Sequence, residues 1–143
     1  MIETYDLREL VSVGRSAKVN RVVKESDAIG YSDVLNGLMA TSAVIGLAMQ
    51  AAGEAIDPFL PEGYISIARQ VEFEHTASTM IGIKVTVEAT VTDVQQLYID
   101  LAIKVTDELG EVGHGLIRKS IVHTASLLKR AENRREQMLN SRK

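Results

Sequence analysis

The chain has 143 residues, enough for one domain that buries about two thirds of its unfolded surface. Apolar residues make up 45% and charged residues 24%, the balance of an ordinary globular protein. There are no cysteines, which excludes disulfides, thiolate metal sites and a cysteine nucleophile, and agrees with a cytoplasmic setting.

Residues 1–11 are mixed in character and suit a short cap. Residues 1–20 hold no basic start followed by an apolar run, so no secretory signal is expected. Residues 12–24 alternate, with Ala17, Val19 and Val23 on one side and Lys18, Asn20 and Lys24 on the other, predicting a half-buried strand. A loop over 25–31 follows, and Ser32 or Asp33 is expected to cap a helix over residues 34–56. No charged residue lies between Asp33 and Glu54. Such a helix would run roughly 35 Å and be apolar on nearly all sides, so it must be enclosed. Its length suits a membrane span. However, Asn36, Thr41, Ser42 and Gln50 interrupt it, and no aromatic belt or closely flanking Lys or Arg is present. Its alanines and glycines suit close approach to a sheet, and Asp57-Pro58 supplies the stop. On a helical wheel Asn36, Gln50, Glu54 and Asp57 share a stripe and Thr41 falls opposite, on the face expected to be buried. By itself a mid-helix threonine simply bonds back to the carbonyl four residues earlier.

Four strands are then predicted, over 65–74, 83–91, 97–105 and 114–124, each alternating apolar and polar residues. The connections at 76–82, 93–95 and 107–110 are short, so neighbouring strands are antiparallel. His75 ends the first of these strands on the parity of its apolar set. Residues 126–141 read as a polar helix. Residues 129–143 carry six basic and two acidic side chains, +4, which leaves ten basic and 17 acidic, −7, for the rest of a chain whose total is −3. Without interleaved aromatics this end is a solvated terminal helix rather than a nucleic-acid grip. The organisation is thus an α+β domain over residues 1–125, one long central helix wrapped by a curved antiparallel five-stranded sheet, followed by a basic helix or tail over 126–143.

A single helix gripped by such a sheet resembles the hotdog fold. Three segments make the likeness more specific: GLAMQAAGEAIDPFLPEG, SIARQVEFEHTAST and DELGEVGHGLIRKSIVH. Over residues 12–125 the chain resembles the fluoroacetyl-CoA thioesterase group of hotdog proteins. The resemblance implies a site made of a helix threonine, a glutamate eight residues later, a histidine at the end of the next strand, and a backbone amide in a Ser-apolar-Gly step. These positions correspond to Thr41, Met49, His75 and Ala68. Met49 departs from the pattern, because the helix acid is absent.

The chemistry that survives is thioester hydrolysis. His75 can act as a base near neutral pH, and Thr41 can serve as a nucleophile or orient a water. An amide near Ala68, or near Asn36 and Gly37 at the expected helix start, can hold the carbonyl oxygen, and Met49 can line an acyl pocket. A lone histidine at a strand end is otherwise a solvated surface group. Arg69, Arg118, Lys119 and the basic tail are candidate partners for the phosphates of coenzyme A, against the plainer reading of solvated strand faces. His114 is expected in an exposed glycine-rich turn and His123 in a structural role. Three separated histidines without carboxylates at ligand spacing predict no metal site. Coenzyme A enters only as part of the substrate, and no other cofactor is expected. The expected function is hydrolysis of a small acyl-CoA by a homodimer that binds neither nucleic acid nor membrane. The rival is a non-catalytic acyl-CoA-binding module. A hydratase or dehydratase on the same fold needs a positioned carboxylate that the helix lacks.

Overall fold

The computed structural model describes residues 5–143. The cap expected over 1–11 is a short helix α1 (Leu7–Leu10), whose Leu7 and neighbouring Val11 are fully buried; residues 1–4 lie outside the described part. Strand β1 (Ser16–Val22) leads into a loop, then helix α2 (Thr41–Ile56). A 3-10 turn over Asp57–Phe59 closes α2 where Asp57-Pro58 predicted a stop. Strands β2 (Tyr64–His75), β3 (Lys84–Val94), β4 (Tyr98–Asp107) and β5 (Gly110–His123) follow, and helix α3 (Thr124–Ser141) ends the chain.

All five strands form one antiparallel sheet in the order β1-β3-β4-β5-β2. The alternation survives as a buried inner face, including Val85, Val87 and Val91 on β3, Ile99, Leu101 and Val105 on β4, and Val112 and Ile117 on β5. Fully burying such a side chain stabilises by about 1.5–3 kcal/mol. The face of α2 pressed on the sheet is built largely of alanine: Ala48, Ala51, Ala52 and Ala55 are all buried. Small side chains let the helix axis sit close to the concave sheet, which is the cover predicted for the uncharged segment. Among the described residues no helix is long and apolar enough to cross a membrane.

The helix is shorter than the sequence suggested. Residues 34–40 are not helical, and α2 begins at Thr41 with Ala40 as its cap, not Ser32 or Asp33. Long-range pairing overrides helix propensity here. Met39 donates to the Thr79 carbonyl (2.9 Å), Ile29 to the Leu38 carbonyl (2.8 Å) and Ile81 to the Gly37 carbonyl (3.0 Å), so the segment bridges two other loops like a short strand. Thr41 is therefore exposed in the first helical turn rather than buried at mid-helix, and has no helical carbonyl four residues behind it. His114 also moves: it lies within β5, four residues past its start, although its side chain is exposed as expected.

Candidate active site

The position of Thr41 is set from its N-terminal side. The Ala40 amide donates to the Asp27 carbonyl (2.9 Å), and the Asp27 carboxylate is clamped by Arg21 (3.0 and 2.7 Å) and by the Lys24 amide (2.9 Å). The Arg21 guanidinium holds the Asp27 carboxyl below the usual carboxylate range. Ala40 offers no side-chain cap. The Ala43 and Val44 amides donate to its carbonyl, while those of Thr41 and Ser42 have no acceptor among the described residues. Two free N–H groups at the positive end of a helix suit a developing oxyanion.

His75 is placed by β2 and its neighbour. It pairs in register with Gly113, and Phe73 with Gly115. A β-carbon on Gly113 would strike the Phe73 ring, and one on Gly115 the Glu72 carbonyl, so only glycine lets β2 lie this close to β5. The Phe73 ring then meets the His75 imidazole edge-on at 6.2 Å. Beyond His75 the Thr76 and Ala77 amides both donate to the Val112 carbonyl. The Thr76 hydroxyl donates to Glu111 (2.9 Å), and Glu111 lies 3.2 Å from His114 Nδ1. The Thr76 hydrogen bond, then that to His114, holds the Glu111 carboxyl below its usual range.

These two constructions meet. Thr41 Oγ1 and His75 Nδ1 are 2.9 Å apart, although 34 residues separate them in sequence. Where Nδ1 is bare the hydroxyl donates to it; where Nδ1 is protonated the ring donates to the hydroxyl. The other ring nitrogen, Nε2, is buried and has no hydrogen-bond partner among the described residues. His75 is therefore not a solvated strand-end group.

The remaining expected site residues are dispersed. Met49 lies eight residues along α2 from Thr41, about 12 Å by helical rise, and is partly exposed. Asn36 and Gly37 precede the helix by several residues, with Gly37 in a turn at φ +93°, so the amides at the helix start belong to Thr41 and Ser42 instead. Ala68 sits on β2 next to a bulge at Arg69. It is seven residues from His75 on one strand, about 23 Å, so one chain does not bring them together. Arg69 is exposed on that bulge. Arg118 is committed to a bidentate pair with Asp100 (2.8 and 3.0 Å) and stacks over the Tyr98 ring at 3.8 Å. Lys119 faces inward and is buried, with burial lowering its amine pKa, so it is not the solvated face group of the plainer reading. His123 caps α3, accepting from the Ser126 amide, and meets Tyr64 edge-on. The basic tail belongs to α3, in which no residue is buried. Among the described residues no group of three or more His, Cys, Asp or Glu is placed to hold a metal.

Sequence reasoning passed over one pinning contact. Asp57 Oδ1 accepts from both the amide (3.0 Å) and the hydroxyl (2.6 Å) of Ser66, tying the end of α2 to the start of β2. It also passed over the inward aim of Lys119, though its parity with Ile117 and Ile121 was a readable signal.

A family model described as the fluoroacetyl-CoA-specific thioesterase matches residues 23–125. The fluoroacetyl-CoA thioesterase of Streptantibioticus cattleyicolor is 29% identical over 86 residues, which is 60% of this chain and 62% of that protein, less than two thirds of its length. Among solved structures, a hot-dog-like protein from Thermanaerovibrio acidaminovorans is 33% identical with a TM-score of 0.86, covering 91% of this chain and 97% of its own. A thioesterase superfamily member from Thermus thermophilus is 26% identical with a TM-score of 0.80, covering 89% and 97%. A fluoroacetyl-CoA thioesterase structure at 23% identity and TM-score 0.79, covering 86% and 96%, shares the fold. The five-stranded sheet around one helix is thus the hotdog fold.

Proposed function

The chain belongs to the fluoroacetyl-CoA-specific thioesterase family, and from that premise we propose that it hydrolyses small acyl-CoA thioesters with Thr41 and His75. The observation that carries this reading is the 2.9 Å approach of the Thr41 hydroxyl to His75 Nδ1. In the tautomer with a bare Nδ1, the imidazole takes the hydroxyl proton as the threonine oxygen attacks the thioester carbonyl. The Thr41 and Ser42 amides hold the oxyanion. The C–S bond breaks, the thiol of coenzyme A leaves with the proton, and water releases the acid by the same route. No cofactor beyond the coenzyme A of the substrate enters this scheme, and the reading places the protein in the cytoplasm. Activity on acyl-CoAs is what relatives of the family are named for. The test is a hydrolysis assay over short, branched and aromatic acyl-CoAs. Equal turnover by wild type, Thr41→Ala and His75→Ala would remove the dyad from the mechanism.

The reading includes a homodimer. β2 is an edge strand of 12 residues, and Ile65 and Val71 are exposed on it. Antiparallel pairing of two such edges brings the partner's Ala68 toward His75, which no single chain does. Native mass at micromolar concentration tests this, and a monomer contradicts it.

A second reading is a non-catalytic acyl-CoA-binding module. The apolar Met49 and the unpartnered Nε2 of His75 favour it, because nothing among the described residues accepts a proton from that nitrogen. Binding of coenzyme A esters without turnover supports this reading, and rapid turnover removes it.

A further inference from the structure

An irregularity in β5 lies directly behind His75. The register between β4 and β5 shifts between Val105 and Thr106, so Val112 is an extra residue, a β-bulge, between Glu111 and Gly113. Its carbonyl accepts the amides of both Thr76 (2.8 Å) and Ala77 (3.1 Å). The β2–β5 ladder ends there, with His75 as its last paired residue.

The chain that leaves His75 also holds the other half of the dyad. Thr79, only 4% exposed, accepts the Met39 amide at its carbonyl (2.9 Å), and the Ile81 amide donates to the Gly37 carbonyl (3.0 Å). Ala40 and Thr41 follow Met39 directly. Residues 75–79 and 39–41 thus make a closed circuit, joined once at Met39–Thr79 and again at Thr41–His75. In such a circuit the setting of Thr76 governs where the imidazole and the Thr41 hydroxyl can meet.

One side chain grips the circuit at this point. The Thr76 hydroxyl donates to Glu111 Oε2 (2.9 Å), from the residue just before the bulge. The same oxygen lies 3.2 Å from His114 Nδ1, and His114 Nε2 lies 3.9 Å from Glu74. These groups are exposed, and exposed pairs contribute little to stability. Their weight lies in position instead, because a displacement of about 1 Å at a reacting group can cost about 10²-fold in rate.

We propose that Glu111 is a positioning residue for the Thr41–His75 dyad, acting through the Thr76 hydroxyl. Among the described residues it makes no hydrogen bond to Thr41 or His75, so it does not replace the helix acid missing at Met49. The inference rests on the thioesterase reading for its effect on turnover, and on the dyad geometry alone for its effect on the imidazole.

The test compares Glu111→Ala, Glu111→Gln and Thr76→Val with wild type by two readouts. One is nuclear magnetic resonance of the three histidine side chains, with His75 assigned from the signals lost in His75→Gln. The other is steady-state kinetics on the preferred acyl-CoA. Glu111→Ala and Thr76→Val are expected to move the His75 signals and to lower kcat roughly tenfold or more, with KM little changed. Glu111→Gln, whose carboxamide oxygen still accepts from Thr76, keeps the wild-type His75 signals and a kcat within about threefold. The double variant Glu111→Ala/Thr76→Val falls no further than either single change, since both break one interaction. If wild type turns nothing over, but the His75 signals move in Glu111→Ala and return in Glu111→Gln, the thioesterase reading falls and the positioning role stands. Thr76→Val decides the matter should Glu111→Ala fail to fold. Unmoved His75 signals in the folded variants overturn the proposal. So does an equal loss in Glu111→Gln and Glu111→Ala, which would assign the effect to the charge beside His114. A rise in KM at constant kcat overturns it as well.

Discussion

Thr41 and His75 stand 2.9 Å apart at one end of an antiparallel helix–strand pair whose other end is pinned by Asp57 and Ser66. The dyad distance is thus a property of the whole pair rather than of two side chains. A shift of β2 along α2 by one residue would carry the imidazole about 3.3 Å away and turn it to the other face.

Removing either member of the dyad tests its chemistry. With a general base contributing about 10²–10⁴-fold, His75→Ala is expected to lower kcat/KM on the preferred acyl-CoA within that range. Thr41→Ser keeps the hydroxyl and retains measurable turnover, whereas Thr41→Ala does not. Steady-state kinetics checks both, with circular dichroism to verify the fold. A Thr41→Ala enzyme of unchanged rate would leave His75 to act on water.

Breaking the distal pin tests the coupling. Asp57→Ala leaves the Ser66 amide and hydroxyl without their acceptor in a buried position, a loss of about 1–3 kcal/mol. Urea denaturation reads this directly. If the pin aligns the dyad, kcat/KM also falls although Asp57 lies at the opposite end of α2, and unchanged kinetics would make the contact purely structural.

Two glycines should respond in opposite senses. Gly115→Ala would drive a β-carbon into the Glu72 carbonyl and the Phe73 backbone, with no flexible side chain to give way, at a cost of about 1–3 kcal/mol or more. Gly46→Ala, at an exposed position of α2, meets nothing within 4 Å and is expected to stabilise by about 0.5–1 kcal/mol. Thermal unfolding of the two variants decides it. A neutral Gly115→Ala would mean that β2 can move away from β5, and His75 with it.

Lys119 gives a pH-dependent signature. Burial lowers its pKa from the ordinary 10.5, so the unfolded chain binds the proton more tightly than the folded one. Its destabilising contribution is full below the folded value and is relieved as pH rises through that value toward 10.5. Lys119→Met is therefore expected to be more stable than wild type at pH 7, with the gap narrowing toward pH 10. Denaturation at a series of pH values checks this, and a gap constant across the range would rule out a penalty from the buried charge.

Much of the architecture was legible because alternation of period two survives whatever the strand order. Ile83, Val85, Val87, Ala89 and Val91 announced a half-buried strand without reference to any neighbour. The start of α2 was not legible. Residues 34–40 are uncharged and largely apolar, so they continue the helical pattern, yet their amides and carbonyls are taken by the 27–29 and 79–81 segments. A hydrogen bond made across the fold leaves no local mark.

The site divides in the same way. The residue types of Thr41 and His75, and the absence of an acid at Met49, stand in the sequence itself. Their 2.9 Å meeting, the buried Nε2, the separation of Ala68 from His75 on one strand and the lack of an ion pair for Lys119 among the described residues belong to tertiary structure alone. Periodicity records which face a side chain occupies, because it depends only on backbone geometry repeated along one element. What that side chain meets depends on how separate elements are brought together, and on which partners remain once the core has closed.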